Sequence, residues 1–304
     1  GGPGSEPEPG DGRDVDAEVE RIDASSPVVG STVPAREPEV PLARFPRGPG
    51  PGTFLHDVLE HLDLTRAADD RELLPLLERM EARHGIDPGH RAAVVRGLRQ
   101  ALATPLGAEV AGLRLATLSR ADRLDELRFE LPVATGSATG SPALTLAAIA
   151  DLLRCTDDAL LQAAGERLGD PALATGFRGY LNGSIDLLAR LPDGRVFIAD
   201  YKSNWFGDRT TGRSVAADYR PERLVEAMLD HHYVLQALLY LVAAHRYLRW
   251  RLPGYDPDHH LVGAGYLFLR GMVGAPGSGT GVLWVRPGGA LLTELSGLLD
   301  RGVA

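Results

Sequence analysis

With 304 residues, 44 % of them hydrophobic and 24 % charged, the chain has the balance of a globular protein with room for a real core, and it lacks any run of about eighteen apolar residues that could span a membrane. Its single cysteine, Cys155, excludes an internal disulfide, a cysteine zinc site and a four-cysteine iron–sulfur cluster; it fits a reducing, cytoplasmic setting and is expected to be a small buried side chain. The net charge of −9 does not exclude nucleic acid, because residues 1–27 hold eight acidic side chains and two arginines, supply −6 of it and leave −3 for the remainder, and a binding groove needs local rather than average positive charge.

Residues 1–44 are rich in Pro, Gly, Glu and Asp without periodicity, and read as a disordered acidic linker ahead of a domain at 45–304. No basic patch followed by an apolar stretch marks a signal peptide, and without an initiator Met the chain is expected to be a piece of a longer polypeptide. Phe54, Leu55, Val58, Leu59 and Leu62 share one face and predict an amphipathic helix over 53–64, with Thr53 as its N-cap. The helical pattern recurs over 71–83 and 88–103. ELRFELPV, residues 126–133, reads as a strand, and 145–153 and 157–168 read as short helices. GSIDLLARL (183–191) and RVFIADYKS (195–203) read as two strands of a hairpin, with Pro192, Asp193 and Gly194 supplying the turn. A long helical stretch over 222–249 precedes a buried strand at 261–271, a further strand in GVLWVRP and a closing helix at 288–300. Helices flanking a small mixed central sheet, with a helical region on the N-terminal side, give an α/β class.

Lysine usage singles out one place. Of 32 Lys and Arg only Lys202 is lysine, and the two asparagines are Asn182 and Asn204, so all three scarce residues lie between 182 and 204. A compositional pressure has favoured arginine elsewhere. Survival of lysine at 202 points to a role that a planar, permanently protonated guanidinium cannot fill. Asp200 and Lys202 stand two apart on a predicted strand and so face the same way, with Tyr201 turned into the core. Asp186 lies on the partner strand, where a tight hairpin can set its carboxylate beside that of Asp200. Carboxylates that close repel unless a cation sits between them, and Mg²⁺ suits hard oxygen ligands. Metal-holding carboxylates and a lysine are what phosphodiester hydrolysis needs to activate a water and neutralise developing charge. Solvated turn charges are the competing reading, and it is disfavoured because Asp200 ends the apolar run VFIA, where an unpaired carboxylate is costly.

GYLNGSIDLLARLPDGRVFIADYKSNWFG, residues 179–207, resembles the nuclease motif of RecB-type subunits of bacterial RecBCD enzymes (exodeoxyribonuclease V), within the PD-(D/E)XK nuclease superfamily. FPRGPGPGTFLHDVLEHLDL, RLDELRFELP, HHYVLQALLYLVAAHRYLRWRLPGYD and GYLFLRGM resemble further blocks in the expected order. The resemblance implies a restriction-endonuclease-like core in which Asp186 and Asp200 bind metal and Lys202 is the catalytic lysine. It implies the main-chain carbonyl of Tyr201 and the side chain of His56 as further ligands. Glu126 matches an acidic residue near the metal, and Glu130, on the same strand face, competes for that place. Gln236 and Tyr240 match a helix motif bordering the site and the DNA, and their i, i+4 spacing puts them on one face. Also implied are one or two Mg²⁺ ions, DNA as substrate, RecC-like and RecD-like partner subunits, RecA as a partner, and a motor N-terminal to this domain with residues 1–44 as tether. With lysine only at 202 no Gly-rich phosphate loop ending in Lys is possible, so no ATP site is expected here. Extra residues around 136–141 and 208–214 depart from the family spacing and are expected to lengthen loops. Readings of other kinds are a non-cleaving module for RecA loading or subunit docking, and a stand-alone restriction-type nuclease. The intact Asp186, Asp200 and Lys202 set favours a DNA-degrading domain.

Overall fold

The computed structural model describes residues 37–133, 144–170, 176–274 and 279–301. Three helices come first: α1 (Pro49–His61), α2 (Asp70–His84) and α3 (Arg91–Ala103). Strand β1 (Arg123–Val133) is followed by the two-residue β2 (Leu144–Thr145), then by α4 (Leu146–Arg154), α5 (Ala159–Leu168) and the short β3 (Gly176–Phe177). The hairpin of β4 (Gly179–Arg190) and β5 (Val196–Lys202) comes next. Helices α6 (Pro221–Asp230), α7 (Tyr233–Arg251) and α8 (Pro257–His260) lead to β6 (Leu261–Phe268), β7 (Val282–Val285) and α9 (Gly289–Arg301). The main sheet runs β1-β4-β5-β6-β7, with β5 and β6 parallel and the other neighbours antiparallel. A parallel pair cannot be closed by a hairpin, and α6 to α8 make its crossover. The expected α/β class with a small mixed sheet is borne out.

Strand β5 is buried along its whole length and feeds two cores. Val196 and Ile198 pack with Leu238 and Leu241 of α7 and Leu295 of α9. Phe197, Ala199 and Tyr201 pack with Phe54 and Val58 of α1, Leu77 of α2 and Leu98 of α3. A strand covered on both faces reads as a continuous apolar run, which is why VFIA shows no alternation.

Helix α1 starts four residues before the expected Thr53. Pro49 fills the first helical position, where its missing N–H costs nothing. Thr53 therefore lies inside the helix, and its hydroxyl donates to the Pro49 carbonyl at 3.1 Å. The stretch 222–249 is two helices, broken where His232 takes left-handed backbone at φ 54. Cys155, expected to be buried, is exposed, because it caps the C-terminal end of α4 instead of lying on its packed face. The packed domain reaches upstream of residue 45, since Val40, Leu42 and Ala43 are buried. Residues 1–36 of the expected linker, and the insertion at 136–141, lie outside the described residues. The insertion at 208–214 forms a largely exposed turn in which the Asp208 N–H donates to the Arg213 carbonyl at 2.8 Å.

Arg270, 1 % exposed, fastens that upstream segment. Its guanidinium donates to the carbonyls of Leu42, Phe45 and Pro46 and to that of Ser203, which ties residues 42–46 to the end of β5. Arg270→Met removes the donor from all four carbonyls, and a loss of about 3–5 kcal/mol in stability is expected. Urea unfolding measures it, and a loss under about 1 kcal/mol would make the clamp dispensable.

Candidate active site

Pairing between β4 and β5 ends at Leu187↔Ala199, and Asp186 and Asp200 stand one step beyond it. From there β4 parts from β5 and continues with β1 as far as Val133↔Gly179. The sheet forks at Asp186. A side chain takes over where the ladder stops: the Tyr201 N–H donates to Asp186 Oδ2 at 2.7 Å. At the same level β4 turns over, so that Ile185 enters the core beside α7 whereas Leu187 enters the core beside α1. On β1 the pairing skips Glu126, opposite Asp186, and Glu126 takes a left-handed φ of 51. Such backbone costs a non-glycine residue about 1–3 kcal/mol, and strain of this kind is concentrated at functional sites.

His56 reaches the fork from α1. Its Nδ1 stands 3.4 Å from Asp186 Oδ2, and one donor atom each of His56, Glu126 and Asp186 lie within 4.8 Å of one another. Glu126 also accepts a hydrogen bond from the Ser184 hydroxyl at 2.7 Å. Burial alone would push the His56 imidazolium down, but the Asp186 carboxylate outweighs it and, with a further pull from Asp200, lifts His56 to about 9. Burial raises the Asp186 carboxyl in turn, yet His56 and the Tyr201 N–H reverse that and hold it below its ordinary value. Burial lifts Glu126, a shift tempered by the Ser184 hydroxyl and reinforced by Asp186. Two hard oxygen donors and an imidazole nitrogen, mutually close and partly shielded, fit a divalent cation.

Asp200 and Lys202 face the other side of β5, toward α7, and are 4 % and 3 % exposed. Lys202 Nζ lies 2.9 Å from Asp200 Oδ2 and donates to Gln236 Oε1 at 3.1 Å. The Tyr266 hydroxyl donates to the same Gln236 oxygen at 3.0 Å, and Gln236 Nε2 donates to the Tyr240 hydroxyl at 3.0 Å. The structure thus gathers Asp200, Lys202, Gln236 and Tyr240 into one network and His56, Glu126 and Asp186 into another, with the Tyr201 backbone between them. The Tyr201 ring enters the core beside α1 and meets His56 edge to face, centroids 6.0 Å apart. Glu130 lies outside both groups: it is exposed and pairs with Asn182 farther along the β1–β4 ribbon.

Sequence reasoning passed over Ser184, Tyr233 and Tyr266. Ser184, two residues before Asp186, could have been found from strand spacing. Tyr266 sits inside an apolar run and looks like core; it becomes a neighbour of the site only through the parallel register Asp200↔Tyr266.

A family model described as the PD-(D/E)XK nuclease superfamily matches residues 36–280. The RecBCD enzyme subunit RecB of Mycobacterium tuberculosis is 44 % identical over 279 residues, which are 86 % of this chain and 24 % of that protein. The subunit of the same name from Mycolicibacterium smegmatis is 40 % identical over 294 residues, 94 % of this chain and 26 % of its own length. That of Escherichia coli is 36 % identical over 253 residues, 83 % of this chain and 19 % of its own. The chain therefore spans about a quarter or less of the curated relatives it matches.

Proposed function

The chain belongs to the PD-(D/E)XK nuclease superfamily, and from that membership we propose that it is a Mg²⁺-dependent DNA nuclease, the cleaving region of a RecB-like helicase–nuclease subunit. The observation that carries the reading is the fork, which sets an imidazole and two carboxylates within 4.8 Å of one another beside the chain's only lysine. His56, Glu126 and Asp186 hold the metal in this reading, and Asp200 and the Tyr201 carbonyl complete its ligands. The chemistry a divalent ion held by these residues would supply is polarisation of the scissile phosphate and a lowered pKa for a bound water. Lys202 orients the attacking water or the scissile phosphate, and its ammonium, unlike a guanidinium, can exchange a proton with that water. Gln236 accepts from Lys202 and fixes where that ammonium points, and with Tyr240 it borders the path of the DNA.

The relatives' name extends the proposal to RecC-like and RecD-like partner subunits; exodeoxyribonuclease V type degradation in double-strand-break repair and RecA as a partner rest on the motif resemblance alone. Unwinding falls to a motor outside these residues. A cytoplasmic setting goes with this reading; among the described residues no helix is long and apolar enough to cross a membrane.

The test is cleavage of linear single-stranded DNA by the full chain. Mg²⁺ should support it and a chelator should stop it. Ca²⁺ should compete for the site without supporting cleavage, because its looser coordination positions water poorly. Cleavage undiminished by chelator would overturn the metal chemistry.

A further inference from the structure

The chain's only lysine is Lys202 and its two asparagines are Asn182 and Asn204, and of these three the nuclease reading uses only the first. Asn204 lies two residues past Lys202, and its side chain meets Tyr233 at the start of α7. Asn204 Nδ2 donates to the Tyr233 hydroxyl at 3.3 Å, and that hydroxyl stands 3.4 Å from Asn204 Oδ1. The loop is itself pinned, since the Tyr219 hydroxyl donates to the Asn204 carbonyl at 3.2 Å. Held this way, the Tyr233 ring presents its face to Lys202, whose Nζ is 4.1 Å from the ring centroid. Tyr266 stacks on Tyr233 with centroids 5.7 Å and planes 28° apart, and Lys202 Nζ is 5.6 Å from its centroid.

We infer that Tyr233, oriented by Asn204 and flanked by Tyr266, is a positioning residue whose ring face holds the ammonium of Lys202 in place. Its catalytic meaning rests on the nuclease reading above; the geometry does not. The negative face of an aromatic ring attracts a cation within about 6 Å, and most strongly where water is excluded, as it is around a side chain only 3 % exposed. A compact ammonium can meet a carboxylate, an amide oxygen and a ring face at once. A planar guanidinium cannot make the same three contacts from one point. The four-carbon stem of lysine is otherwise free to swing, and the cage removes that freedom before substrate arrives.

Because Lys202 is the only lysine, labelling lysine at its ε-carbon in the full chain reports a single ε-methylene group by NMR. The ε-methylene protons of the folded protein are expected upfield of a free lysine, shifted by the ring current of Tyr233. The displacement should persist in Tyr233→Phe and be largely lost in Tyr233→Leu. In cleavage, Tyr233→Leu should lower kcat about tenfold with KM for DNA unchanged, and Tyr233→Phe and Asn204→Ala should cost about threefold. Asn204→Ala keeps both rings but releases the Tyr233 hydroxyl, and it decides the matter if Tyr233→Leu does not fold: the lysine signal should then move part of the way. An unmoved signal in both Tyr233→Leu and Asn204→Ala overturns the inference, as do equal losses of kcat in the Phe and Leu variants. The signal is read without any cleavage, so a wild-type protein that cuts no DNA would sink the nuclease reading and leave the cage to be judged on its own.

Discussion

Asp186→Asn is expected to abolish cleavage, by at least about 10³-fold at saturating Mg²⁺, while the domain stays folded. Asparagine is the informative replacement. Asp186 Oδ2 accepts the Tyr201 N–H at 2.7 Å where the β4–β5 ladder stops, and an amide oxygen can keep that bond and with it the fork. What the variant loses is charge. A divalent ion then meets one carboxylate fewer in a group whose donors lie within 4.8 Å of one another. His56 also loses the neighbour that lifts it to about 9; burial then acts with less opposition, and its affinity for a proton falls. Asp200→Ala is expected to match Asp186→Asn in lost rate but to cost more stability, about 3–5 kcal/mol, because it strips the buried Lys202 ammonium of its carboxylate. Initial cleavage rates and melting temperatures of both variants are the measurements. An Asp186→Asn protein that cuts at near wild-type rate would place the chemistry away from the fork.

The parts of this molecule that sequence makes legible are those governed by local rules. Pro192, Asp193 and Gly194 announce the hairpin, and Gly194 takes the φ of 88 that favours glycine. Strand alternation alone places Asp200 and Lys202 on one face and Tyr201 on the other. The fork is another matter. Ile185 and Leu187 are both apolar and two apart, yet they enter different cores, so nothing in the pattern marks the turnover at Asp186. Glu126 and Glu130 are equivalent by spacing; only the left-handed backbone at 126 and the approach of α1 tell them apart. The break between α6 and α7 falls at two histidines, which carry no breaker signal, and it shows only in the backbone of His232. Cys155 is exposed although its residue type favours burial, because its position at a helix end decides its surroundings. At the C-terminal end of α4 it faces away from the packed side of that helix. In each case the missing information is tertiary: which strand parts from which, and what arrives from elsewhere in the chain.

Lys202→Arg should be nearly as damaging to cleavage as Lys202→Ala, with losses on the order of 10³-fold for both. The chain supplies its cations as arginine everywhere else, so at this position the substitution runs with the compositional bias and still has to fail. A role in charge alone would tolerate it. The surroundings argue otherwise. Lys202 Nζ is fitted between Asp200 Oδ2 at 2.9 Å, Gln236 Oε1 at 3.1 Å and the Tyr233 ring at 4.1 Å, with almost no exposure to water. A guanidinium is wider and planar, and its reach beyond the ammonium position would press on Gln236 or drive Asp200 toward Asp186. Overpacking of that kind costs about 1–3 kcal/mol, too little to unfold the domain but enough to displace the site. The arginine is also permanently protonated and cannot exchange a proton with a water it orients. Lys202→Ala fails for a different reason, since it leaves Asp200 buried without its cation. The two variants should therefore share a low kcat and differ in melting temperature, with DNA binding retained in both as the control. If Lys202→Arg kept about a third or more of the wild-type rate, position 202 would need only a positive charge, and the survival of its lysine would have no chemical cause.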